Sequence, residues 1–159
     1  MLKAGDRAPD FSNPDADMNI VELSQFRGKT LVLYFYLRDD TPGCTTEAIE
    51  FSELENDFAK LGAEVLGVSR DDCIKHGEFR DKHGIGVRLL ADKEQITNKA
   101  YGVLQDKEVD GVMRKSPVRS TFIIDKKGII RHALYGVSSR GHAAEVLQLV
   151  ASMSKGEHK

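Results

Sequence analysis

Seven consecutive apolar residues, Leu31-Val32-Leu33-Tyr34-Phe35-Tyr36-Leu37, constrain this chain more than any other feature. A run this short, rich in aromatic and branched side chains, reads as a strand buried on both faces, because no alternate position is left for water. Such a strand needs a packed layer on each side. After a polar loop, Thr45 to Leu61 reads as a helix: Ala48, Phe51, Leu54, Phe58 and Leu61 recur at spacings of three and four and form one apolar stripe. Gly62 stops that helix, and Ala63 to Ser69 is a second apolar strand.

The alternation continues. Asp71 or Asp72 can cap a helix that runs to about His83, with Gly84 as its stop. Val87 to Asp92 reads as a third short strand and Gln95 to Tyr101 as a short helix. Residues 102–118, rich in glycine and charge, read as a loop or an irregular hairpin. Two apolar runs, Ser120 to Asp125 and Gly128 to Leu134, flank the turn Lys126-Lys127-Gly128 and predict a β-hairpin. A helix from about Arg140 to Met153 follows, then a polar tail expected to fray, over about residues 155–159. Strand-helix alternation followed by a hairpin and a last helix predicts an α/β fold: a mixed central sheet with helices on both faces, in a thioredoxin-like arrangement. No repeat or linker divides the 159 residues, so one domain over 1–159 is expected.

Composition narrows the function. A formal charge of −2 gives no basic patch for nucleic acid. No stretch approaches the roughly 20 apolar residues of a membrane helix, and the start, MLKAGDRAPDF, has no signal-peptide core. Two cysteines are too few for a disulfide framework, so a reducing cytoplasm is the expected compartment.

The segment Asp39-Asp40-Thr41-Pro42-Gly43-Cys44-Thr45-Thr46-Glu47 lies between the buried strand and the first helix. Pro42 suits the first helical position and Thr41 the N-cap, which sets Cys44 in the first turn. Backbone N–H groups and the helix dipole favour an anion there, and the thiolate is the reactive form of cysteine. The sequence also sends this thiol to the carboxyl end of the sheet, where α/β sites gather. Most free cysteines are small buried hydrophobes; the polar and turn-forming neighbours of Cys44 weigh against that reading.

The string Phe35-Tyr-Leu-Arg-Asp-Asp-Thr-Pro-Gly-Cys-Thr-Thr-Glu-Ala48 resembles the peroxidatic-cysteine loop of peroxiredoxins, in particular the bacterioferritin-comigratory-protein or PrxQ group. The resemblance extends to GDRAPDF near the start, LGVSRDD after the second strand, RSTFIID near residue 120 and the Gly-His string of the final helix. It implies a thiol peroxidase in which Cys44 attacks a hydroperoxide and becomes a sulfenic acid. Thr41 then matches the hydroxyl that aligns the O–O bond, and Arg119 the guanidinium that stabilises thiolate and departing oxygen. Glu47 either orients Arg119 or is a first-turn carboxylate favoured by the helix dipole. This chemistry requires no cofactor and no metal. The implied partners are a hydroperoxide and thioredoxin or a similar dithiol reductant, with the protein a monomer or homodimer.

The sequence departs from the group at Leu37, where the motif has a proline four residues before the threonine. A resolving cysteine five residues after the first is excluded by Ile49. Cys73, at the start of the second helix and somewhat earlier than the familiar helical position, is expected to resolve the sulfenic acid as a disulfide after some rearrangement. Otherwise the enzyme works with one cysteine and an external thiol. Rival readings fare less well. A thioredoxin-type reductase needs Cys-x-x-Cys, and Glu47 stands where its second cysteine belongs. A zinc module from Cys44, Cys73, His76 and His83 rests on one ligand-like spacing, and both histidines are expected on the polar side of their helix. A non-catalytic redox sensor or partner-binding domain on the same fold has no need of Thr41, Cys44 and Arg119 together.

Overall fold

The structure, a computed structural model, describes the backbone of residues 1–157 and their side chains apart from residues 107, 109 and 154–157. In chain order the elements are β1 (Ser12–Pro14), β2 (Ile20–Glu22), a 3-10 turn (Leu23–Phe26), β3 (Thr30–Phe35), α1 (Pro42–Glu53), α2 (Glu55–Lys60) and β4 (Ala63–Ser69). They continue with α3 (Cys73–His83), β5 (Arg88–Ala91), α4 (Ile96–Ala100), β6 (Leu104–Val109), β7 (Val112–Pro117), β8 (Ser120–Ile124), β9 (Ile130–Tyr135) and α5 (His142–Glu157).

The apolar run becomes the middle strand of a five-stranded sheet ordered β5-β4-β3-β8-β9. β3 pairs parallel with β4, from Thr30 opposite Ala63 to Phe35 opposite Val68, and antiparallel with β8, from Leu31 opposite Ile124 to Phe35 opposite Ser120. Side chains alternate between faces along a strand. Val32, Tyr34 and Tyr36 enter a cluster with Ala48, Phe51, Phe58, Phe79, Val146 and Val150. Leu31, Leu33 and Phe35 enter a second one with Phe11, Val21, Phe26, Tyr101 and Val103. All six residues of β3 are buried, which is why its sequence shows no polar alternation. Burying one large apolar side chain contributes about 1.5–3 kcal/mol, so this strand anchors both layers.

The helix expected over residues 45–61 is two helices, α1 and α2, broken at Leu54. The Ser52 hydroxyl donates to Ala48 O at 2.7 Å and accepts from Gly86 N at 3.0 Å, diverting the helical bonding just before the break. The apolar stripe survives, since Ala48, Phe51 and Phe58 are buried and Leu54 and Leu61 pack against the same cluster. The β1–β2 hairpin has strands too short for a periodic signal, yet it closes the second face of the sheet around Val21. Residues 104–117 form a hairpin with unbroken register from Leu104–Pro117 to Val109–Val112. Asp110 and Gly111 both have positive φ, 52° and 78°, as the turn of a two-residue hairpin requires. The last helix runs to Glu157, beyond the expected end at Met153. Residues 158 and 159, the end of the tail expected to fray, lie outside the described residues.

Candidate active site

The chain leaves β3 after Phe35, turns through residues 36–40 and enters α1 with Thr41 as N-cap and Pro42 as first helical residue. Cys44 is therefore in the first turn, and it is only 2% exposed. Its partner comes from the strand on the far side of β3. Arg119, immediately before β8, places Nη2 3.3 Å from Cys44 Sγ and Nη1 2.7 Å from Glu47 Oε1. One guanidinium thus spans a sulfur and a carboxylate that sit three residues apart on one turn of α1. The Arg119 backbone is held too, its carbonyl accepting from Val137 N at 3.0 Å while the neighbouring Val118 N donates to Val103 O at 2.8 Å.

Glu47 is fully buried, and its second oxygen has no partner among the described residues. Burial drives the Glu47 carboxyl up, Arg119 pulls it part of the way back and Glu50 adds to the rise, leaving it at about 7. Burial works against the Arg119 charge, but Glu47 and Cys44 outweigh it and hold the guanidinium more firmly protonated. Gly43 leaves room for this arrangement. A Cβ there would stand 3.1 Å from Arg119 Nη2 and 3.4 Å from Ser139 Oγ.

Thr41 occupies the N-cap by its backbone, and its carbonyl accepts from Thr45 N at 2.8 Å. Its hydroxyl makes no capping bond; it donates to Arg38 O at 3.1 Å instead. The lone pairs of that oxygen stay free to accept another hydrogen bond. Leu37, where the motif has proline, is partly buried against the cluster that contains Cys44. The Gly141-His142 string ties α5 to this region: Gly141 N donates to Glu50 Oε1 at 2.8 Å, and buried His142 Nε2 lies 2.8 Å from Thr121 Oγ1, two residues past Arg119.

Cys73 is not part of this cluster. It is partly buried at the start of α3 and lines a groove of about 770 Å³ with Phe11, Asn13, Asp92, Ile96 and Thr97; Cys44, Thr41 and Arg119 are absent from that lining. Burial, then Asp15 and Asp72, pushes the Cys73 thiol up. The zinc arrangement imagined from Cys44, Cys73, His76 and His83 is not assembled. His76, expected on a polar helix face, is fully buried. It shares the stripe of Phe79 at a spacing of three, a signal that places it inward. His83 is partly exposed and its Nε2 lies 2.9 Å from Asp40 Oδ1. Asp72, of the two candidate caps, accepts from Lys75 N at 2.8 Å.

A buried polar group beside the loop went unread in the sequence. Asp39 accepts from Tyr36 Oη at 2.6 Å and lies 2.6 Å from His76 Nδ1; its own N–H donates to Asp71 Oδ2 at 2.7 Å. The available signal is an aspartate two residues after the apolar run, close enough to the core that burial demands partners.

The AhpC/TSA family matches residues 4–133. Peroxiredoxin Bcp of Bacillus subtilis is 40% identical, covering 97% of this chain and 98% of its own length. Among solved structures, peroxiredoxin Q of Xanthomonas campestris superposes with a TM-score of 0.91 at 33% identity, covering 96% of this chain and 99% of its own. The Xanthomonas campestris bacterioferritin comigratory protein, studied for alkyl peroxide reduction activity, gives 0.88 at 33% identity, covering 91% and 92%. With its cysteine on a helix turn under an arginine, in a thioredoxin-like fold, the chain belongs to the AhpC/TSA family and within it to the Bcp/PrxQ peroxiredoxins.

Proposed function

We propose that Cys44 is the peroxidatic nucleophile and that Arg119, Thr41 and Glu47 complete its site. The Cys44 thiolate attacks the terminal oxygen of a hydroperoxide. The S–O bond forms as the O–O bond breaks, Cys44 becomes a sulfenic acid, and the departing oxygen takes a proton from solvent to leave as water or an alcohol. The observation that carries this reading is the single guanidinium shared between Cys44 Sγ at 3.3 Å and Glu47 Oε1 at 2.7 Å. A donor fixed in that way stabilises charge as it moves from sulfur to the leaving oxygen. The Thr41 hydroxyl acts by accepting a hydrogen bond from the peroxide O–H and aligning the O–O bond.

The substrates are hydrogen peroxide and organic hydroperoxides, the latter supported by the alkyl peroxide activity of the Xanthomonas relative. The reductant is thioredoxin or a similar dithiol protein, in a reducing cytoplasm, and the enzyme acts as a monomer or homodimer. In the folded arrangement the sulfenic acid is met by an external thiol. Cys73 resolves it only after α3 releases its hold on the catalytic loop, since its thiol faces a separate groove. Dimedone trapping with peptide mapping tests the reading: after hydrogen peroxide the adduct forms on Cys44, and an adduct confined to Cys73 overturns it.

A further inference from the structure

α3 carries more than Cys73. Three of its side chains grip two successive residues of the loop before Cys44. His76 reaches Asp39, while Lys82 Nζ and His83 Nε2 reach Asp40 at 2.7 and 2.9 Å. Asp40 needs holding, because its φ of 61° is left-handed backbone that a residue with a side chain adopts at a cost. The Asp40 grip is exposed to solvent and therefore weak. The Asp39 grip is buried, with side-chain exposures of 0% for His76 and 1% for Asp39.

The hydrogen bonds fix where the protons are. His76 Nε2 lies 2.9 Å from the Leu90 carbonyl, an acceptor only, so Nε2 carries hydrogen. Nδ1 faces Asp39 Oδ2 at 2.6 Å, and Asp39 Oδ1 already accepts from Tyr36 Oη. A second proton therefore lies between Nδ1 and Oδ2 and is shared by the two side chains. No polar atom of His76 is left over. Ser69 Oγ, 2.8 Å from Asp71 Oδ2, fixes the carboxylate that receives the Asp39 N–H.

This network ends at the catalytic threonine. The peptide plane between Arg38 and Asp39 is held through its N–H by Asp71 and through its carbonyl by the Thr41 hydroxyl. The Asp39 side chain anchors one end of that plane; once it is released, the Asp71 bond alone holds the plane, and Thr41 Oγ1 loses a fixed partner. We infer that His76 is a positioning residue for peroxide reduction: through Asp39 it sets the peptide plane that orients the Thr41 hydroxyl at the entry to the helical turn that carries Cys44. The inference rests on the roles proposed above for Cys44 and Thr41.

The test compares two reactions of one sulfur, with Cys73→Ser in every protein so that Cys44 is the only thiol. Oxidation by hydrogen peroxide depends on Thr41; alkylation by iodoacetamide does not. His76→Phe is expected to lower the peroxide rate constant by about 100-fold with the alkylation rate nearly unchanged. Asp39→Ala removes the same grip from the loop side; it is expected to show the same selective loss of peroxide rate, and it serves if His76→Phe does not fold. Equal loss of both reactions, or no loss of peroxide rate, in His76→Phe overturns the inference. So does an Asp39→Ala protein that folds and keeps its peroxide rate. A parent protein whose Cys44 ignores peroxide defeats the underlying assignment instead, so the two failures are distinguishable.

Discussion

The two cysteines both open a helix that follows a parallel strand, yet their surroundings are opposite. Cys44 lies in the third helical position of α1 with a guanidinium 3.3 Å from its sulfur. Cys73 lies in the first position of α3, where burial, then Asp15 and Asp72, push its thiol up. A helix N-terminus favours an anion in both cases. The difference teaches that this general preference does not distinguish the two thiols, and that their neighbouring charges do. The arginine reaches only Cys44 because β8 is paired with β3 and delivers Arg119 beside the start of α1.

The most severe way to break this contrast is to exchange the thiols' roles. Cys44→Ser is expected to abolish peroxide turnover, whereas Cys73→Ser leaves the first oxidation of Cys44 at its original rate; stopped-flow peroxide consumption in a single turnover checks both. Removing the charge comes next. Arg119→Met is expected to slow Cys44 oxidation by about 10²–10³-fold, with Arg119→Lys between it and the parent, because an ammonium cannot span sulfur and carboxylate together.

Glu47 sharpens the contrast through pH. Its folded carboxyl titrates at about 7 against an ordinary 4.5, so the folded state holds a proton that the unfolded state releases between those values. Stability is therefore fullest below the lower value and falls as pH rises through the upper one, by on the order of 3 kcal/mol. Glu47→Gln should flatten that fall, measured as urea midpoints from about pH 5 to about pH 8. The smallest effect is expected from Gly43→Ala, whose new methyl would crowd Arg119 Nη2 at 3.1 Å. A loss of about fivefold in peroxide rate, with stability little changed, is the expected result.

Much of this architecture was legible in the residues. β4 and α3 coincide with their expected bounds, because Gly62 and Gly84 punctuate them and an aspartate, Asp71 or Asp72 in the sequence and Asp72 in the structure, caps α3. Thr41, Cys44, Glu47 and Arg119 were legible as a set only through the resemblance, since nothing local to Arg119 reveals that β8 runs beside β3. The β1–β2 hairpin was missed because three-residue strands carry no periodicity. The break at Leu54 was hidden because the apolar stripe continues across it. His76 reads as polar by residue type, whereas its place on the Phe79 face sets it inward, and a buried polar group becomes visible only when its partner, here Asp39, is brought to it by the fold.

The most direct measurement is the intact mass of the reduced protein after one equivalent of hydrogen peroxide, with thiols blocked at quench, in parent, Cys44→Ser and Cys73→Ser forms. The account predicts one added oxygen on the Cys73→Ser monomer, formed as fast as the parent reacts, and no change in Cys44→Ser. In the parent, one added oxygen marks reduction by an external thiol, and loss of two hydrogens marks closure of a Cys44–Cys73 disulfide after α3 lets go. Rapid oxidation of Cys44→Ser, or an unchanged mass in the parent, would contradict the assignment of Cys44 as the peroxidatic residue.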